Sequence, residues 1–286
     1  MDIKGVWLPI ITPFNNENVD FESYKKLIEH YVNTGIKGIM PLGTSGEIPT
    51  LDDDEYEELI SKTVEYVHGR LPIFIGLGGN NTKKLLKQLK LVEKYKIDGI
   101  LSVSPYYSRP EQRGIYDHFR ALSESSSLNI VIYNIPYRTG RNIENETLMK
   151  LAELKNIIGV KDCCGDIKQT TELIFNKPEG FSVLTGDDGL FYTNLTLGGD
   201  GGILASSHIK TETFVKVYDL LQSNNFSEAL KLWKSLYKFI PSLFEEPNPA
   251  PIKYYLNKIG IINSAEVRLP LTEISEGLKK KLDNLI

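Results

Sequence analysis

Asn156-Ile157-Ile158-Gly159-Val160-Lys161-Asp162 is an apolar run of strand length that ends on a lone lysine. Such β-branched runs read as strands of a parallel sheet buried on both faces. Outward from this stretch the pattern repeats. Residues 6–11, 38–42, 73–76, 99–103, 130–133, 158–161, 182–185 and 202–205 are eight candidate strands. They recur about every 20 to 34 residues, the length of a strand with its crossover helix. An open doubly wound sheet normally has fewer strands, so eight such units predict an α/β chain closed into a (β/α)8, or TIM, barrel.

The segments between them carry helical spacing. Asp20-Phe21-Glu22-Ser23 opens one in which Tyr24, Leu27, Ile28 and Tyr31 recur at i, i+3, i+4 and i+7, with Thr34-Gly35 as its stop. A second runs from Asp52 through Tyr56, Leu59, Ile60 and Val67 to a stop at Gly69. Leu85, Leu89 and Val92 mark a third, Tyr116, Phe119 and Leu122 a fourth, and Leu148 and Leu151 a fifth. Three more are expected near 167–176, 189–197 and 213–221. After Asn225 the alternation stops. Residues 226–244, 251–258 and 271–286 read as helices, separated by Glu246-Pro247-Asn248-Pro249-Ala250-Pro251 and by Arg268-Leu269-Pro270. We expect a catalytic barrel over residues 1–224 and a helical extension over 225–286, which has too few residues and no strand to build a core alone.

At 286 residues, with 24% charged and 41% hydrophobic residues, the composition is that of an ordinary globular protein. A net charge of −4 gives no basic stripe for nucleic acid. No apolar stretch approaches the roughly 20 residues that span a bilayer, and the start lacks the pattern of a signal peptide. A cytoplasmic protein with small-molecule partners is therefore expected, with no nucleic acid and no membrane. Cys163 and Cys164 are adjacent, so neither an ordinary disulfide nor a spaced metal site is expected from them. His30, His68, His118 and His208 show no ligand spacing.

In a barrel, chemistry gathers at the C-terminal ends of the strands. There Lys161 is either solvated at the barrel mouth or kept for chemistry, since a lysine buried at a strand end can lose its proton and act as a nucleophile toward a carbonyl. Strand 2 is followed by Gly43-Thr44-Ser45-Gly46-Glu47, which reads either as an ordinary βα turn or as a cradle of hydroxyls and amides for an anion. Strand 4 leads to Ser104-Pro105-Tyr106-Tyr107-Ser108-Arg109-Pro110. Strand 5 leads to Tyr133-Asn134-Ile135-Pro136-Tyr137-Arg138-Thr139-Gly140, with a phenol at the tip and a guanidinium suited to a carboxylate. Strand 7 gives Thr185-Gly186-Asp187-Asp188, in which either aspartate can cap the next helix and Asp188 is the favoured one. Gly76-Leu77-Gly78-Gly79-Asn80 lacks the full spacing of a dinucleotide loop.

Taken together, Gly43-Thr44-Ser45-Gly46-Glu47, Tyr133 with Arg138-Thr139-Gly140, and Gly159-Val160-Lys161-Asp162 resemble the pyruvate-dependent class I aldolases and lyases that include dihydrodipicolinate synthase and N-acetylneuraminate lyase. The resemblance spans nearly the whole chain. It implies a barrel built into a homodimer or a tetramer of dimers, working without metal or organic cofactor through a covalent imine of pyruvate on Lys161. By the same resemblance Tyr133 relays protons, linked through Thr44 to Tyr107 of a neighbouring subunit. Thr44 and Ser45 hold the pyruvate carboxylate, and Gly186 and Ile203 supply backbone contacts. Arg138 resembles the arginine that binds the carboxylate of aspartate semialdehyde in the synthases, which favours that branch. Cys163-Cys164-Gly165-Asp166 is more like the corresponding stretch of less specialised family members, some of which cleave 2-keto-3-deoxy sugar acids. A pyruvate-binding barrel without turnover is the remaining alternative. Where lysine-inhibited synthases bind their effector, this chain has Asp53, Tyr56 and Lys84, so feedback by lysine is expected to be weak or absent.

Overall fold

The structure, a computed structural model, describes Met1 and residues 3–285. Each of the eight expected strands forms: β1 (Gly5–Leu8), β2 (Gly38–Ile39), β3 (Phe74–Gly76), β4 (Gly99–Val103), β5 (Asn129–Asn134), β6 (Ile157–Asp162), β7 (Ser182–Thr185) and β8 (Gly201–Ile203). Between and after them lie α1 (Phe21–Tyr31), α2 (Asp53–Val67), α3 (Thr82–Val92), α4 (Gln112–Ser125), α5 (Asn145–Ala152), α6 (Ile167–Asn176), α7 (Phe191–Thr196) and α8 (Thr211–Gln222). The helix starts have local causes. Asp20 accepts the Ser23 amide at 2.9 Å, Asn81 accepts that of Lys84 at 3.1 Å, and Asp52 and Glu55 close a capping box on α2.

The chain divides into two compact units. The first holds Met1–Gly5 and Ile73–Ile203, and in it β3 to β8 pair in sequence, every pair parallel. All six residues of β6 are buried, Lys161 and Asp162 included. The Gly5 amide donates to the Asp200 carbonyl at 2.9 Å, which sets the start of β1 beside the approach to β8.

The second unit takes Val6–Pro72 and the chain from Leu204 onward. Here β1 pairs with β2 in parallel, and the Trp7 ring lies across Gly38, where an added Cβ would meet it at 2.1 Å. Only glycine leaves that room. The Leu204 amide donates to the Trp7 carbonyl at 3.2 Å, and the Ile39 amide to the Pro72 carbonyl, just before β3, at 3.1 Å. Eight parallel strands alternating with helices, hydrogen-bonded in the order β2-β1-β8-β7-β6-β5-β4-β3, make a (β/α)8 TIM barrel followed by a helical C-terminal part.

That C-terminal part departs from expectation at two places. The helix expected over 226–244 stops as α9 (Phe226–Tyr237), and Pro241–Phe244 forms a separate 3₁₀ turn. Pro241 has no amide to donate and its ring opposes the carbonyl four residues back. After α10 (Ala250–Lys258), which accommodates Pro251 in its first turn, the helix expected over 271–286 is only α11 (Glu276–Asp283). Ser275 caps it, and the Ser275 amide is held by Glu246 at 2.9 Å; Ile286 lies outside the described residues. The second helix ends on His68, itself left-handed at φ 49°, one residue before the expected Gly69 stop. An unanticipated hairpin, Phe14–Asn15 with Asn18–Val19, turns through Asn16 and Glu17, both at positive φ.

Candidate active site

In the first unit the parallel register sets Val103 opposite Tyr133, Tyr133 opposite Lys161, and Lys161 opposite Leu184. Tyr133 and Lys161 therefore stand side by side at the C-terminal ends of adjacent strands. The Lys161 ammonium nitrogen lies 4.4 Å from the centre of the Tyr133 ring, and the two residues are 6% and 7% exposed. Water has little access to either.

Burial holds the Lys161 amine below the usual lysine range, and the positive charge of Arg138 adds to this. Asp188 and Cys163 oppose it. The thiol contributes only when ionised, and burial pushes Cys163 up to about 12. A charged Asp188 therefore favours the ammonium form of Lys161. This corrects its reading as a helix cap. The cap is Asp187, which accepts the Gly189 amide at 3.0 Å, while Asp188 is buried and a charge on it favours the Lys161 ammonium. Cys163 also hydrogen-bonds Tyr133. Gly186 completes the wall: an added Cβ would stand 2.4 Å from Lys161 Cε and 2.5 Å from Cys163 Sγ. Its amide donates to the Asp162 carbonyl at 2.8 Å. Ile203 is fully buried at the end of β8.

Asp162, the residue after the lysine, is held by the Thr170 hydroxyl at 2.6 Å, the Cys164 amide at 3.2 Å and Asn134 Nδ2 at 3.3 Å. These bonds fix the strand end that carries Lys161. Arg138 sits on a single helical turn, Pro136–Thr139, ended by Gly140 at φ 74°. It is exposed and, among the described residues, in no ion pair, so its guanidinium is available to an anion. Tyr107 is 89% exposed at φ 68°.

In the second unit, Thr44 is half-buried and Ser45 buried on the loop after β2. The Ser45 hydroxyl accepts from Asn248 Nδ2 at 3.0 Å, leaving its own hydrogen free to donate. Thr12 donates to the Gly46 carbonyl at 2.8 Å. Sequence reading missed Cys163, Asn248 and the role of Asp188; of these only the Asp-Asp pair after β7 carried a signal. The described residues contain no group of three or more His, Cys, Asp and Glu able to hold a metal ion.

A sequence profile of the dihydrodipicolinate synthetase family matches residues 2–286. The chain belongs to the dihydrodipicolinate synthetase family. Within that family it is 58% identical, over the full length of both chains, to 4-hydroxy-tetrahydrodipicolinate synthase 2 of Clostridium acetobutylicum. It is 39% identical to the 4-hydroxy-tetrahydrodipicolinate synthase of Thermotoga maritima, over 99% of this chain and 97% of that one. The solved dihydrodipicolinate synthase of Thermotoga maritima superposes with a TM-score of 0.97 at 38% identity, covering 100% and 98% of the two chains. A monomeric dihydrodipicolinate synthase variant superposes with a TM-score of 0.96 at 38% identity, covering 99% and 95%.

A lysine that attacks a carbonyl must be neutral, so the negative charge that Asp188 sets against Lys161 has a measurable consequence. A carboxylate favours the ammonium, so Asp188→Asn lowers the Lys161 pKa further. The pH at which pyruvate capture reaches half its plateau is then expected to move down. A rate-pH profile of imine formation checks this; an unmoved or upward-shifted midpoint contradicts it.

Proposed function

We propose that this chain is a class I pyruvate-dependent lyase that condenses pyruvate with L-aspartate 4-semialdehyde to 4-hydroxy-tetrahydrodipicolinate. The observation that carries the reading is the Lys161 amine, buried against Tyr133 with its pKa held down. Full-length similarity to named synthases supports the same activity.

The chemistry follows from an amine kept neutral. Lys161 Nζ attacks the pyruvate ketone, and the carbinolamine expels water to leave an imine, a protonated form of which withdraws electrons from C3. Tyr133 hands protons to and from the carbinolamine oxygen and C3, and loss of a C3 proton gives the enamine. The enamine carbon then bonds to the aldehyde carbon of the semialdehyde. Finally the semialdehyde amine attacks the imine carbon, closing the ring and releasing Lys161. The lysine supplies the electron sink that an organic cofactor provides elsewhere.

We assign Thr44 and Ser45 to the pyruvate carboxylate, Arg138 to the carboxylate of the aldehyde, and Gly186 and Ile203 to the backbone wall. Tyr107, exposed in the single chain, is assigned to the proton relay of a neighbouring subunit in a dimer or a dimer of dimers. No described helix is long and apolar enough to cross a membrane.

Assaying the purified chain with pyruvate and aspartate semialdehyde, against 2-keto-3-deoxygluconate cleavage, tests the assignment. Faster cleavage of the sugar acid than condensation overturns it. Lysine is expected to leave the rate unchanged at micromolar concentration, because the exposed Lys84 ammonium repels that of the effector. A dose-response curve with half-inhibition in the micromolar range contradicts this.

A further inference from the structure

Two non-glycine residues with left-handed backbones bracket the loop after β2: Leu42 at φ 60° and Glu47 at φ 53°. An L-residue resists this conformation because its Cβ crowds the carbonyl, so the surroundings must hold it. For Glu47 the surroundings are the C-terminal helices. Its carboxylate is fully buried and paired with the equally buried Lys253 ammonium of α10. A lysine among Ala250, Ile252 and Leu256 loses its hydration and persists only when fully partnered. Lys253 is partnered on every side. Besides Glu47, it donates to the Glu266 carbonyl at 2.8 Å and lies 4.1 Å from the centre of the Phe14 ring.

The second Glu47 oxygen accepts the Arg268 amide at 3.1 Å. The Arg268 guanidinium in turn clasps Glu55, donates to the Thr50 carbonyl at 3.0 Å and lies 4.2 Å from the Phe14 ring centre. Burial pulls Lys253 down to about 8, and the Glu47 charge counters it; burial raises Glu47, and Lys253 counters that. Each charge favours the ionised form of the other. With Asn248 on Ser45 and Thr12 on Gly46, every residue from 45 to 47 is tied down from outside the loop.

We propose that Lys253 is a positioning residue for pyruvate recognition: acting through Glu47, it locks the loop 43–47 in the geometry that presents the Thr44 and Ser45 hydroxyls to the pyruvate carboxylate. This rests on the carboxylate role assigned to that loop above. The helical C-terminal part is then a component of substrate recognition.

The test uses the full chain with Glu47→Gln, Lys253→Met, Lys253→Arg and the double variant Glu47→Gln/Lys253→Met. Borohydride trapping of pyruvate on Lys161 is titrated against pyruvate concentration, alongside kcat and thermal unfolding. A displaced loop raises the half-trapping concentration about tenfold, with kcat at saturating pyruvate changed by about threefold or less. Lys253→Arg, which keeps the charge, recovers part of the affinity. Where a single variant leaves its partner as an unpaired buried charge and fails to fold, the double variant decides, since it leaves neither charge unpaired. Wild-type half-trapping concentrations in Glu47→Gln or the double variant, whatever their unfolding temperatures, overturn the proposal. Absence of trapping in the unsubstituted protein instead overturns the pyruvate-lyase reading on which it stands.

Discussion

Replacing Lys161 with methionine is expected to abolish condensation, lowering kcat by on the order of 10⁴-fold or more, because no other group takes over a covalent step. Methionine is near the lysine in length and apolar, so the buried position at the end of β6 tolerates it, and the barrel is expected to unfold at a temperature close to the original. The loss is then chemical. Stopped assays of product formation, with circular dichroism as the folding control, measure both. Condensation retained to within about tenfold would contradict the nucleophile assignment.

Arg138→Ala carries the second largest effect and separates the two substrates. The guanidinium is exposed and unpaired among the described residues, so its loss leaves no buried charge behind. On the role proposed for Arg138, two charge-assisted hydrogen bonds to the aldehyde's carboxylate, discounted for exposure, are expected to stabilise the transition state by about 3 kcal/mol. That corresponds to about a hundredfold in kcat/KM for aspartate semialdehyde. Pyruvate capture is expected to change by about twofold or less, measured at the alkaline plateau because removing a positive charge raises the Lys161 pKa. Equal losses in both steps would assign Arg138 to pyruvate.

The strands were legible because a strand buried on both faces must be apolar throughout, and runs such as 130–133 and 158–161 admit no other period. Their limits shifted, as at β1, where the apolar run extends beyond the hydrogen-bonded ladder. The C-terminal part was harder. Its apolar spacing is continuous from Phe226 to Phe244, and only the backbone chemistry of Pro241 divides it. In the site, Lys161 and Tyr133 showed because each ends a strand, where period and position coincide. Asp188 did not. Adjacent aspartates after a strand are equivalent on paper, and only the backbone turn sets Asp187 on the Gly189 amide and buries Asp188. Lys253 was hidden for the opposite reason. A lysine in a helix reads as a solvated position, and its burial depends on Glu47, which is distant in sequence.

The central claim is that pyruvate becomes covalently attached to Lys161. Incubation with pyruvate, reduction with borohydride and mass spectrometry of the digested chain test it most directly. One reduced pyruvate per chain is predicted, on the peptide that contains Lys161. An unmodified Lys161 peptide, or the increment on another lysine such as Lys253, would contradict it.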